Sequence, residues 1–114
     1  MIVWRVRLAQ AAEADFLAIL EWTNTHFGKM QAHKYAEVMT LAITALHDGP
    51  DIVGVKTRDD IRHGLKSLHV ARMGHKGSHM VMFRASPDKT IDVLRVLHES
   101  MDVQRRLTPE DLQH

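Results

Sequence analysis

No cysteine occurs among the 114 residues, which removes disulfide scaffolds, cysteine-ligated zinc and thiol catalysis together and fits a reducing compartment. The opening Met1-Ile2-Val3-Trp4-Arg5 lacks the charged-then-apolar order of a signal peptide, and no later apolar run is long enough to span a bilayer. A soluble, cytoplasmic protein without membrane contact is the expectation. No HExxH pair, Gly-rich phosphate loop or nucleophile elbow is present; Gly74 and Gly77 bracket a turn instead. Ser67 and Ser78 have histidines nearby in sequence, but strand alternation sends adjacent side chains to opposite faces, which argues against triad chemistry. Internal repeats and low-complexity runs are absent as well.

What is there fits one domain, expected over residues 1–107, large enough to bury a core without staples. The net charge of +1 conceals an asymmetry: residues 56–106 carry eleven Lys and Arg against six Asp and Glu, while both flanks are acidic. A basic second half suits an acidic protein surface or a nucleic acid, or is simply a solvated face.

Ile2, Trp4, Val6 and Leu8 alternate with Arg5 and Arg7, the period of a half-buried strand. From Ala9 the period lengthens. Ala12, Phe16, Ile19, Leu20 and Phe27 share one helical face, with Glu13 and Asp15 placed to favour the helix dipole. Gly28 ends that helix, and Ala32, Tyr35, Ala36, Met39, Ala42, Ile43 and Leu46 mark a second one, which stops at Asp48-Gly49-Pro50. So short a link implies an antiparallel helical hairpin. Residues 49–64 read as a polar loop. Three strand-like runs follow, 65–72, 78–85 and 90–98, separated by the hairpin-length breaks Met73-Gly74-His75-Lys76-Gly77 and Ser86-Pro87-Asp88-Lys89. The last run is apolar on both faces and reads as the most central strand. The expectation is an α+β layer, with Phe16, Leu20, Tyr35, Met39 and Ile43 buried against one face of a four-stranded sheet. Thr108-Pro109-Glu110-Asp111 has the cap, proline and acids of a helix start. The chain ends so soon after it that residues 108–114 read as a short, mobile tail.

Nine histidines raise the question of a metal, and His69, His75 and His79 cluster most closely in sequence. His75 sits in a turn, however, and the set lacks the shared face that ligands need. The constellation with more chemical content is Arg84, Arg95 and His98 on the last two strands, with Arg72 before them, Lys76 on the intervening turn, and Arg105 and Arg106 after. Guanidiniums beside an imidazole can grip carboxylates or phosphates in a fork, or cleave RNA by proton transfer with charge stabilisation. The same residues can equally be strand-edge arginines and a hydrogen-bonded structural histidine.

Leu8 to Phe16, Phe27-Gly28, Gln31-Ala32 and Tyr35, followed by Gly64-Leu65, Arg84 and the run Ile91 to Asp102, resemble ParE toxins of the RelE/ParE type II toxin–antitoxin superfamily. The similarity extends from about Arg5 to Leu107. Its most specific piece is Arg95-Val96-Leu97-His98 with Met101-Asp102. The resemblance implies an N-terminal strand, an antiparallel helical hairpin, a three-stranded antiparallel meander and a short C-terminal helix. It further implies a toxin neutralised in a hetero-oligomer by a ParD-like antitoxin, with DNA gyrase as target, no cofactor, and nucleic acid touched only indirectly. Ribosome-dependent mRNA cleavage of the RelE type is the alternative. Phe83, where many ParE toxins have Tyr, and Met101, where an arginine would serve RNA chemistry, favour the binding mode. Arg72, Lys76, Arg84, Arg95, His98, Arg105 and Arg106 form the candidate target- or antitoxin-binding set, with no catalytic residue assigned.

Overall fold

The computed structural model describes residues 3–72, 74–101, 103–108 and 111, with Gln104 described in its backbone alone. The expectations for Ile2, Met73, Asp102, Pro109 and Glu110 lie outside the described residues. Strand β1 (Arg5–Leu8) leads into α1 (Gln10–Phe27) and α2 (Lys29–Ala45), which runs on as a single 3-10 turn (Leu46–Asp48). β2 (Val55–Thr57), β3 (Leu65–His69), β4 (His79–Ser86), β5 (Thr90–His98) and the one-turn helix α3 (Val103–Arg106) complete the order. No helix among the described residues is long and apolar enough to cross a membrane.

Gly28 alone joins the two long helices. With φ at +93°, it donates its N–H to the Asn24 carbonyl and accepts the Ala32 N–H on its own carbonyl. Only glycine takes such a φ without a steric cost, so the hairpin needs no further loop. α1 begins at Ala9 with no side-chain cap; the Ala9 N–H goes instead to the Val93 carbonyl, tying the helix start to the sheet.

Among the described residues the sheet has five strands in the order β1-β5-β4-β3-β2, one more than the sequence suggested. The added strand is β2, inside the expected polar loop. Its three residues pair antiparallel with β3 from Val55↔Leu68 to Thr57↔Lys66, and so short a run carries no periodic signal of its own. β1 pairs parallel to β5, from Arg5↔Thr90 to Leu8↔Val93. The central strand is therefore β4, with β5 between it and β1. β5 looks central in sequence because both its faces are covered and because it is bulged. Met82 pairs with Arg95 and Phe83 with Val93, leaving Leu94 as the extra residue. The bulge shifts the alternation, so Ile91, Val93 and Val96 face the helices while Leu94 and Leu97 face away.

Two apolar layers result. Under the hairpin, Ala12, Met39, Ala42 and Leu46 pack on Leu68, Val70, Val81 and Phe83. On the opposite face Leu65, Met80, Met82, Leu94 and Leu97 are covered by Val103 and Leu107, with Ile61 alongside. Of the helix residues expected in the core, Met39 is fully buried, whereas Phe16, Leu20, Tyr35 and Ile43 are half-buried. The hairpin covers the sheet incompletely, and its flank is left open.

Candidate functional site

That open flank is a groove of about 970 Å³ between α1, the start of α2, the β3–β4 turn and the far end of β5. Ile19, Trp22 and Phe27 form its helical wall, Val96 and Leu97 its strand wall, and Lys76 and Arg106 stand on its rim. Trp22 and Phe27 are 55% and 66% exposed, and Trp22 stacks on His26 with ring centroids 4.2 Å apart. Large aromatics held in the open beside cations form the kind of exposed apolar patch that lone protein surfaces seldom carry.

At the floor lies a chain of polar contacts. The Ser78 N–H donates to the Tyr35 hydroxyl at 3.1 Å, and that hydroxyl lies 2.6 Å from His79 Nδ1. The hydroxyl oxygen has lone pairs enough to accept from both, so the tautomer of the neutral His79 sets which of the two groups donates. Burial, then the neighbouring His98, lowers the His79 pKa to about 4, while burial raises that of Tyr35. His98 meets His79 edge-on with centroids 5.2 Å apart. The Ser100 N–H donates to His98 Nδ1 at 3.1 Å, which makes that nitrogen the acceptor and leaves Nε2 to carry the proton. Beside this pair, His69 Nε2 lies 2.6 Å from Glu99 Oε2. Among the described residues no three His, Asp or Glu side chains converge as a metal set.

His79 makes the groove floor acid-sensitive. Its folded pKa lies below the ordinary 6.5, so the unfolded chain takes up a proton first, and stability present above about pH 6.5 is lost as pH falls toward 4. The ring is only half-buried, which brings the loss down to about 1–2 kcal/mol. In His79→Gln the side chain can still hydrogen-bond to Tyr35 but cannot titrate. Urea midpoints should therefore fall less between about pH 7 and pH 4.5 in the variant than in the parent; equal falls would show that His79 is not the group responsible.

The sequence-derived set divides. Lys76, Arg95, His98 and Arg106 line the groove. Arg72 lies at the turn after β3, where its Nε donates to the Val53 carbonyl at 2.8 Å. Arg84 is cross-strand from Leu65 and Asp92, towards the end of β4 opposite His79, and is not among the residues that line the groove. Arg105 is exposed on α3 next to Arg106. Arg95 is mostly enclosed: its Nε and Nη2 fork onto Asp15 at 2.7 and 3.0 Å, and its Nη1 donates to the Arg106 carbonyl at 2.8 Å and approaches Asp111 at 3.3 Å. The bond to Asp15 is the first cause of its raised pKa. Asp111, inside the tail expected to be mobile, is 6% exposed and accepts the Thr108 N–H at 2.9 Å. The sequence reading did not single out Asp15, Tyr35, His79, Trp22 or Asp111 as parts of one site. Asp15 passed for a helix-dipole acid and Tyr35 for a core residue, and only the strand register could bring His79 beside His98.

The chain matches, over residues 6–103, the family model described as ParE toxin of type II toxin–antitoxin system, parDE. It is 36% identical over 103 residues to Toxin ParE1 of Mycobacterium tuberculosis, covering 90% of this chain and 97% of that one. Toxin ParE1 of Caulobacter vibrioides is 27% identical over 101 residues, covering 89% and 95%. Among solved structures, a chain of the chromosomal ParDE system from P. aeruginosa superposes with a TM-score of 0.66 at 19% identity, covering 86% of this chain and 98% of that one. A chain of the toxin–antitoxin complex RelBE2 from Mycobacterium tuberculosis gives 0.55 at 22%, covering 85% and 99%. These likenesses place the fold in the RelE/ParE superfamily. Within it, the chain belongs to the ParE toxin family of type II toxin–antitoxin systems.

Proposed function

We propose that this toxin inhibits DNA gyrase and thereby blocks replication, and that a ParD-like antitoxin silences it by laying an apolar, acidic segment into the groove. The observation that carries the antitoxin half is the groove itself, with exposed Trp22 and Phe27 on one wall and Lys76 and Arg106 on the rim. An apolar segment bearing carboxylates would cover the first and pair with the second, the charges chiefly setting register and on-rate. Both solved neighbours come from toxin–antitoxin systems, which supports a hetero-oligomer here.

The gyrase half draws on family membership and on the poor acid–base chemistry of the groove. RNA cleavage needs a base and an acid on either side of a scissile phosphate. His79 does stand next to His98, a second proton-transfer group that the sequence had not revealed. Yet its Nδ1 is engaged by Tyr35, and its pKa of about 4 leaves it a weak base with no proton to give at neutral pH. Arg95, the charge stabiliser such a site would use, is occupied by Asp15 and Asp111. That combination favours binding over cleavage.

Purified toxin should inhibit supercoiling of relaxed plasmid by gyrase and leave ribosome-bound mRNA intact, and His98→Gln should leave that inhibition largely unchanged. The antitoxin encoded beside it should restore supercoiling. The target-contacting surface is assigned to Arg105 and Arg106 on α3. Replacing both by Ala should alter stability by no more than about 0.5 kcal/mol while clearly weakening gyrase inhibition. Unimpaired supercoiling with cut mRNA, lost on His98→Gln, would establish the RelE-type alternative.

A further inference from the structure

β5 runs on past its neighbour: β1 pairs with it only as far as Leu8↔Val93, and among the described residues no strand flanks 94–98 on that side. In an antiparallel ladder, alternate residues turn both backbone groups away from the partner strand. Val96 is such a residue. Its N–H points away from β4 and donates to the Asp15 carboxylate at 3.0 Å. His98, two residues further on, is the next, and its carbonyl accepts the Met101 N–H at 3.0 Å. Among the described residues the Val96 N–H and the His98 carbonyl are thus satisfied inside the chain, the second by a turn and the first by a side chain reaching across from α1.

Asp15 is well placed to hold that position. Both its oxygens are gripped by the Arg95 fork, and its side chain is only 17% exposed. An uncovered strand edge beside apolar surface is a template for pairing with another strand. Every copy of this chain carries the same edge, and antiparallel pairing of β5 with β5 is self-complementary about a two-fold axis. We propose that Asp15 is a positioning residue for the groove: by capping Val96 it closes the free half of β5 to strand addition, keeps two copies of the chain from pairing edge to edge, and leaves the groove to an occupant recognised through side chains. The last clause rests on the groove reading given above; the capping and the monomeric state do not.

The test uses the free full-length chain, so that its outcome is independent of any antitoxin or gyrase result. Amide exchange by NMR at low concentration and sedimentation over a concentration series compare the parent with Asp15→Ala and Asp15→Asn. In Asp15→Ala the Val96 amide should exchange roughly ten-fold or more faster than in the parent, while Val93, paired to β1, keeps its protection. A concentration-dependent dimer should also appear. Asp15→Asn retains an acceptor for the Val96 N–H and should remain protected and monomeric. Should Asp15→Ala fail to fold with the Arg95 charge left bare, the pair Arg95→Gln and Asp15→Ala/Arg95→Gln gives the same comparison without that charge. A folded variant lacking the carboxylate that stays monomeric, with Val96 as protected as in its control, overturns the proposal.

Discussion

Arg95→Ala is expected to cost the fold about 3–5 kcal/mol, the penalty for removing one member of an enclosed ion pair and leaving its partners uncompensated. The partners are Asp15 on α1 and Asp111 at the chain's end, whose side chains are 17% and 7% exposed, together with the Arg106 carbonyl. One guanidinium therefore joins the helical hairpin, the bulged strand and the segment that closes the second apolar layer. Arg95→Lys should recover only part of the loss, since an ammonium cannot span the Asp15 fork and reach Asp111 at once. Urea denaturation at neutral pH measures both. A loss within about 0.5 kcal/mol, as at an ordinary surface site, would mean that the clasp is not formed in solution. The same experiment bears on function: loss of toxicity in Arg95→Ala would report unfolding before it reported a lost contact.

The second large effect is expected at Phe83. It is fully buried at the centre of the layer beneath the hairpin, so Phe83→Ala should cost about 3–5 kcal/mol. Leu20→Ala and Ile43→Ala should fall below the usual 2–5 kcal/mol for a buried aliphatic residue, at about 1–2 kcal/mol, because both side chains are only half-buried. Urea midpoints for the three variants decide the ranking. Equal losses at Phe83 and Leu20 would indicate that the helices close further over the sheet than the structure places them. The same packing logic applies at Gly77, where an added Cβ would lie 2.5 Å from Val70 Cγ2 and 2.9 Å from Tyr35 Cε1; that glycine lets the β3–β4 turn sit against α2 and shapes one end of the groove.

Much of the architecture was legible along the chain because it follows from local rules. Period two at Trp4 and Val6, period 3.6 in α1 and α2, and glycine at 28 place each element. The resemblance carried by the Arg95-Val96-Leu97-His98 run reached the family that the comparisons confirm. β2 escaped because three residues hold no period, and the rank of β5 was misjudged because its bulge and its two covered faces imitate a central strand.

By itself the sequence determined the α+β class, the helical hairpin, the strand meander and the toxin family, since these depend on residue spacing and turn chemistry within short windows. The tertiary structure alone decided the site. Asp15 and Arg95 are eighty residues apart, and their meeting turns an apparent binding arginine into a clasp. Tyr35, His79 and His98 come from a helix and two strands, and their contact depends on a register that no single segment encodes. Residue type states what a side chain can do; only the packing of hairpin against sheet, which trades solvent for specific neighbours, settles which of those things it does.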